Sequence, residues 1–304
     1  MSVRLAAASV PVERPRLGPI FPYALFLPAF VVVGLVTFVP ALAALRQSLH
    51  GAEYLAMGAF VGLANYVRYF AELEGATLLW RSLLLVLGTL AVTLPLGIAL
   101  AVVLSRRIRL RGLFRAVLIL PWLVSSLLTG FLWAWLLDGH FGPLAPVLRE
   151  FGVTMPNVVT SVPLAMPALV LANSWHSYPL VLVLAMSAIQ TIPVDLIEAA
   201  KLDGAGEWQI LTAITLPMIR GTILVAMVLV TLNTFNNATL VYAMTGGGPV
   251  DVTTTTALAV FLDGVKFFRI PVAAVGSVVC LAVNLAFAIA YMRLLGTSRD
   301  EEVA

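Results

Sequence analysis

The sequence predicts an all-α, polytopic integral membrane protein with six transmembrane helices. Three observations carry this. Of 304 residues, 61% are hydrophobic and 11% charged, against about 45–50% and about 25% in soluble domains. Six long stretches hold no Asp, Glu, Lys or Arg, and each supplies the roughly 20 apolar residues that cross a hydrocarbon core about 30 Å thick. These stretches also lack the alternation of a barrel strand, which leaves helices to satisfy the backbone in lipid. The same composition excludes a disordered chain, a nucleic-acid-binding domain and an ordinary soluble enzyme.

The spans fall at about residues 20–45, 82–105, 114–137, 162–189, 219–244 and 271–293, within a membrane domain of 20–295. Residues 1–19 carry arginines and three prolines but no apolar core, so they read as a tail before a retained first helix, not as a signal peptide. Residues 296–304 read as a second tail. Twelve of the 18 basic residues lie on one side of this topology, including the tight cluster Arg106, Arg107, Arg109, Arg111 and Arg115 between spans two and three. The positive-inside rule therefore puts both termini in the cytoplasm and the loops at about 46–81, 138–161 and 246–269 outside.

The fourth connection, 190–220, reads QTIPVDLIEAAKLDGAGEWQILTAITLPMIR. It is long and patterned for a connection. Pro193 and Asp195 mark a helix start, and Asp195 to Leu202 form a short helix. Asp203-Gly204 signals a turn with positive φ. Glu207 to Ile214 begin a second short helix, and Leu216-Pro217 lead into span five. The product is a helix–turn–helix elbow on the cytoplasmic side. Ala199, Ala200, Gly204, Ala205 and Gly206 keep it slim enough for another protein to approach closely.

Glu198-Ala199-Ala200, Gly204, Ile214 and Leu216-Pro217 resemble the EAA loop of permease subunits in binding-protein-dependent ABC importers. The fuller EAAKLDGA resembles the carbohydrate-uptake branch, the maltose-transporter type. QTIP before the loop, GLANY at Gly62 to Tyr66, and TGGGP at Thr245 to Pro249 followed by Thr253 to Thr256 agree with that branch. The resemblance implies a cytoplasmic-membrane subunit that imports a sugar or oligosaccharide by alternating access. It also implies partners: a second homologous permease, an ABC ATPase dimer and an extracytoplasmic solute-binding protein. Glu198, Ala199, Ala200, Asp203, Gly204, Ala205 and Leu211 would couple to the ATPase. The branch usually has an aromatic where Leu211 stands; Leu211 is still expected to fill an apolar groove. The branch often has proline where Gly221 stands, which points to a different entry into span five.

The chain has two lysines, Lys201 and Lys266, neither followed by Ser or Thr, so it holds no GxxxxGK[ST] phosphate loop. The expected cofactors, ATP and magnesium, therefore belong to the partner ATPase. His50, His140 and His176 are far apart and Cys280 is the sole cysteine, so neither a metal site nor a catalytic constellation is expected.

Polar groups inside a bilayer are costly and usually face the bundle interior or a water-filled path. Asn173, His176 and Ser177 share one face of span four, with Trp175 and Tyr178 beside them. Span five offers Asn233, Asn236 and Asn237, span three Ser125, Ser126 and Thr129, and span six Asn284. Amides and hydroxyls suit sugar hydroxyls. Such groups also commonly bond neighbouring helices. The candidate path is Asn173, His176, Tyr178, Asn233, Asn236 and Asn237. With no ionised residue in the spans, a neutral polyhydroxylated solute fits best. Glycerol 3-phosphate-type or polyol uptake by the same machinery, or an ATP-independent carrier, are the alternatives.

Overall fold

A computed structural model gives the fold and describes residues 21–53, 56–106 and 109–303, with side chains over 26–52, 57–106 and 109–294. The expected tail at 1–19 and Arg107 lie outside these residues. Among the described residues, four helices are long and apolar enough to cross a membrane, and two bent helix pairs bring the spans to six where each pair counts as one. The all-α class follows, with one small hairpin, β1 (His50–Glu53) against β2 (Ala56–Phe60), that the sequence did not signal.

The chain divides into units of 1–43 and 44–304. The first holds most of helix α1 (Phe21–Ser48). Its sides are apolar all round: Phe30, Val36 and Phe38 are exposed. A helix without a polar face suits lipid or a partner.

The second unit is built around α7 (Val162–Ile189), whose buried residues run from Ala165 to Met186. Beside it lies α3 (Gly75–Ser105). The two backbones approach closely because glycines of α3 stand at the contact. A Cβ at Gly97 would come within 2.7 Å of Val181, and one at Gly88 within 2.8 Å of Val170. Small residues at contacts of this kind are how helices associate where lipid is as apolar as leucine.

Four elements differ from expectation, one of them the span at 219–244, which breaks at Asn237 into helices Arg220–Asn236 and Ala238–Met244. Helix α3 begins at Gly75, not 82, because a helix end near the interface tolerates Arg81 within it. The third span is broken into α4 (Arg111–Leu123) and α5 (Ser126–Leu136), bent by 98°. Pro121 removes a backbone donor near the end of α4, and the Ser125 hydroxyl accepts from Leu128 N–H (3.3 Å) to start α5 afresh. The last helix, Ile270–Val303, runs on into the expected tail.

Two motifs prove to be stitches. After α1, helix α2 (Ala64–Ala71) carries the end of GLANY. Asn65 Nδ2 donates to the carbonyls of Ser48 and His50, both at 2.9 Å, and the Tyr66 and Ser48 hydroxyls bond at 2.8 Å. In TGGGP, Thr253 donates to the Gly248 carbonyl (2.8 Å) and Thr254 to the Gly247 carbonyl (3.2 Å), while Thr245 and Thr253 share a bond of 2.7 Å. Threonines 253–256 are all buried there. The knot ends on α3, where the Ser82 hydroxyl accepts from Thr256 N–H (2.9 Å).

Between α5 and α7 the chain passes Asp138 and helix α6 (Leu144–Glu150). Asp138 Oδ1 accepts from the N–H groups of His140 (2.8 Å) and Phe141 (2.9 Å), and Oδ2 from Asn157 Nδ2 (3.1 Å). The Phe141 N–H first, then that of His140, hold this carboxyl below its ordinary range. A depressed folded-state value means the stabilising contribution is present above the unfolded value and lost as pH falls through the folded one. Amide exchange at His140 and Phe141, compared with Asp138→Ala, should therefore show protection at pH 6 that is lost as pH falls through the carboxyl's depressed value. Equal exchange in the two proteins at pH 6 would remove this role.

Candidate functional site

The elbow is a rigid, capped device. Its first helix, α8 (Val194–Leu202), follows Pro193 and carries Asp195 in its first turn, where negative charge suits the helix dipole. Ala205 N–H donates to the Ala200 carbonyl (2.9 Å) and Gly204 N–H to that of Lys201 (3.1 Å), the paired bonds of a Schellman motif. That motif needs a left-handed residue, and Gly204 has φ +83°. No atom lies within 4 Å of a Cβ built on Gly204, so the requirement is set by backbone conformation, not by space.

The second helix, α9 (Glu207–Met218), starts where the Gln209 side chain accepts from Gly206 N–H (2.9 Å). It contains a wide turn over Leu211–Thr215, closed by Leu216 N–H to the Leu211 carbonyl. Pro217 follows and has no N–H to give to the turn, which suits the widening. The chain then bends by 70° into α10 (Arg220–Asn236). The base of the elbow is anchored: Ile192 and Ile219 are buried with Ala101, Leu104, Leu182 and Met186 of α3 and α7.

Glu198, Ala199, Asp203 and Gly204 are exposed on the elbow, with Ala200 and Ala205 half-buried. Leu202 and Trp208, not singled out from sequence, are 89% and 73% exposed. Leu211 instead lines a cavity of about 790 Å³ behind the elbow, with Ile189, Ile197 and Ile210. The exposed aromatic is thus Trp208, which also borders this cavity, one helical turn before the position where an aromatic was sought. A lone tryptophan in the polar connection 190–220 was the signal available for it.

The span residues divide by environment. Asn173 is buried, and its Nδ2 donates to Thr89 (3.1 Å) and Thr234 (2.9 Å), joining α3, α7 and α10. His176 is buried, with Nδ1 3.4 Å from Thr129 Oγ1 of α5, the second arm of the broken span. Tyr178 packs into the cluster at the base of the elbow. Asn233 and Asn236 are exposed, and Asn236 exchanges two amide bonds with Asn284, 3.2 and 3.0 Å.

Asn237 stands at the break between α10 and α11 (Ala238–Met244). Its Oδ1 accepts from Leu240 N–H (3.2 Å) and caps α11, while its Nδ2 is buried without a partner. Buried hydroxyls of Thr93, Ser174 and Ser177 are also unpartnered. Idle buried polar groups are costly and call for an explanation.

A model of the family described as "Binding-protein-dependent transport system inner membrane component" matches residues 93–296. The chain is similar to the trehalose/maltose transport system permease protein MalF of Thermococcus litoralis, 29% identical over 286 residues, covering 91% of this chain and 94% of that one. It is also similar to the sn-glycerol-3-phosphate transport system permease protein UgpA of Agrobacterium fabrum, 28% identical over 269 residues, covering 88% and 92%. Among solved structures, a chain of a bacterial ABC transporter involved in the import of the acidic polysaccharide alginate shares the fold. The TM-score is 0.78 at 20% identity, covering 91% of this chain and 95% of that one.

Proposed function

The chain belongs to the family of inner membrane components of binding-protein-dependent transport systems, and from that premise we propose that it imports a neutral sugar or oligosaccharide by alternating access, driven by ATP hydrolysed on a separate subunit. The observation that carries this reading is the elbow. It is capped at its turn, anchored at its base and exposed along Glu198, Leu202, Asp203 and Trp208. A stiff projection of this kind, continuous with α7 and α10, passes force into two spans without a flexible linker.

The partners in this reading are a second permease, an ATPase dimer that binds ATP and magnesium, and an extracytoplasmic solute-binding protein. Both termini lie in the cytoplasm. Glu198, Ala199, Ala200, Asp203, Gly204 and Ala205 meet the ATPase, joined by Leu202 and Trp208. The solute path draws on the amides and hydroxyls of α7 and α10, with Asn173, Ser177, Asn233, Asn236 and Asn237 as its residues. The relative named for trehalose and maltose supports an α-glucoside as the first solute to test.

The test is uptake into proteoliposomes holding the full assembly, with labelled maltose, trehalose and glycerol 3-phosphate each supplied with the binding protein. ATP-dependent accumulation of a disaccharide is expected. Accumulation of glycerol 3-phosphate alone would overturn the sugar assignment, and uptake independent of ATP would overturn the importer reading.

A further inference from the structure

Behind the elbow the packing is interrupted. The cavity of about 790 Å³ separates Trp208 and Leu211 of α9 from Val102 and Ser105 at the end of α3. Three charged side chains on its lining form one network. Glu207, in the first turn of α9, accepts through Oε2 from Arg106 Nη2 at 2.7 Å, and its Oε1 lies 3.6 Å from Lys201 Nζ. Arg106 is the C-cap that follows α3, and Lys201 sits in the last turn of α8. One carboxylate therefore links both helices of the elbow to a helix that is not covalently continuous with either.

We propose that Glu207 is a positioning residue that carries displacement of the elbow into α3 through Arg106. This rests on the reading of the elbow as the ATPase-driven part. Force reaches α7 and α10 through the chain and α3 through its packing along α7, and this pair adds a direct tie from the elbow to the end of α3. All three side chains are more than half exposed. Exposed ion pairs add little to stability, so a purely structural clamp is a poor account of the arrangement. A weak pair across a gap breaks and reforms within a transport cycle. Lys201 keeps the carboxylate held on the elbow while its bond to Arg106 is remade.

Two measurements test this. In the full reconstituted transporter, Glu207→Gln and Arg106→Gln should each lower solute moved per ATP by about threefold to fivefold, with ATP hydrolysis nearly unchanged. The triple exchange R106E/K201E/E207R, which inverts every charge of the network, should regain most of the loss. An unchanged ratio in the single variants, or a triple variant no better than Glu207→Gln, would overturn the proposal. In the same assembly without ATP, spin labels at Val103 and Ala213 should show a broader distance distribution for Glu207→Gln than for wild type. An unchanged distribution would also overturn it. This second readout needs no transport, so a wild-type assembly without ATP-driven uptake would sink the importer reading while the tie is still decided.

Discussion

The Gly204→Val variant is expected to assemble with its partners and to move at least about tenfold less solute. Gly204 is held at φ +83° by the two bonds that close α8, Gly204 N–H to Lys201 and Ala205 N–H to Ala200. An L-residue in that region costs about 1–2 kcal/mol, and β-branching adds to it. The chain relieves the cost by opening the turn, which changes the angle between α8 and α9. ATP hydrolysis on the partner then continues without driving the spans. The competing explanation is that glycine is needed because another protein lies close against the elbow. The open space around a Cβ at this position separates the two. Asparagine enters the left-handed region readily, so Gly204→Asn should transport nearly as well as wild type if backbone conformation is the cause. A Gly204→Asn variant as impaired as Gly204→Val would favour close approach, and normal transport by Gly204→Val would end the coupling role of this turn.

That turn was legible from sequence because its physics is local. Asp203-Gly204 after a short amphipathic run signals a left-handed closure whatever surrounds it. The spans were legible for a similar reason, since their apolar length is a property of each segment alone. The break at Val124 was missed because hydropathy does not register direction: Pro121 and Ser125 sit in a stretch that is apolar on both sides, yet they turn the chain by 98°. The start of α3 was misplaced because a rule against any charged residue discards the interfacial turns where an arginine is tolerated.

The site was legible only as residue types. Asn173, His176 and Tyr178 stand on one predicted element, yet each meets a different neighbour: the hydroxyls of Thr89 and Thr234, the second arm of the broken span, and the cluster under the elbow. Those partners are between 47 and 84 residues away for the hydrogen-bonded pairs, a separation that no local pattern encodes. The Glu207–Arg106 pair, 101 residues apart, was out of reach for the same reason. GLANY and TGGGP agreed with the resemblance that the EAA loop carried, but their bonds to Ser48, His50 and Thr253 are visible only once the loops are folded.

Asn237 offers the most direct test of the solute path, because its two amide atoms have different employment. Its Oδ1 caps α11 through Leu240 N–H, and its Nδ2 is buried with no partner. Serine caps helices as well as asparagine does but brings no NH₂ donor. Asn237→Ser should therefore keep the break at α11, express and assemble normally, and raise the solute KM by about tenfold, the effect of one hydrogen bond of about 1.4 kcal/mol left unmade. Asn237→Leu should show the same transport defect and, in addition, lower the stability of the purified subunit by about 1 kcal/mol through the lost cap. If the residue only caps the helix, the order changes: Asn237→Ser transports with wild-type KM and only Asn237→Leu is impaired, through stability. The KM of Asn237→Ser thus decides between a helix cap and a group held in reserve for a sugar hydroxyl, since only the second account needs the idle donor.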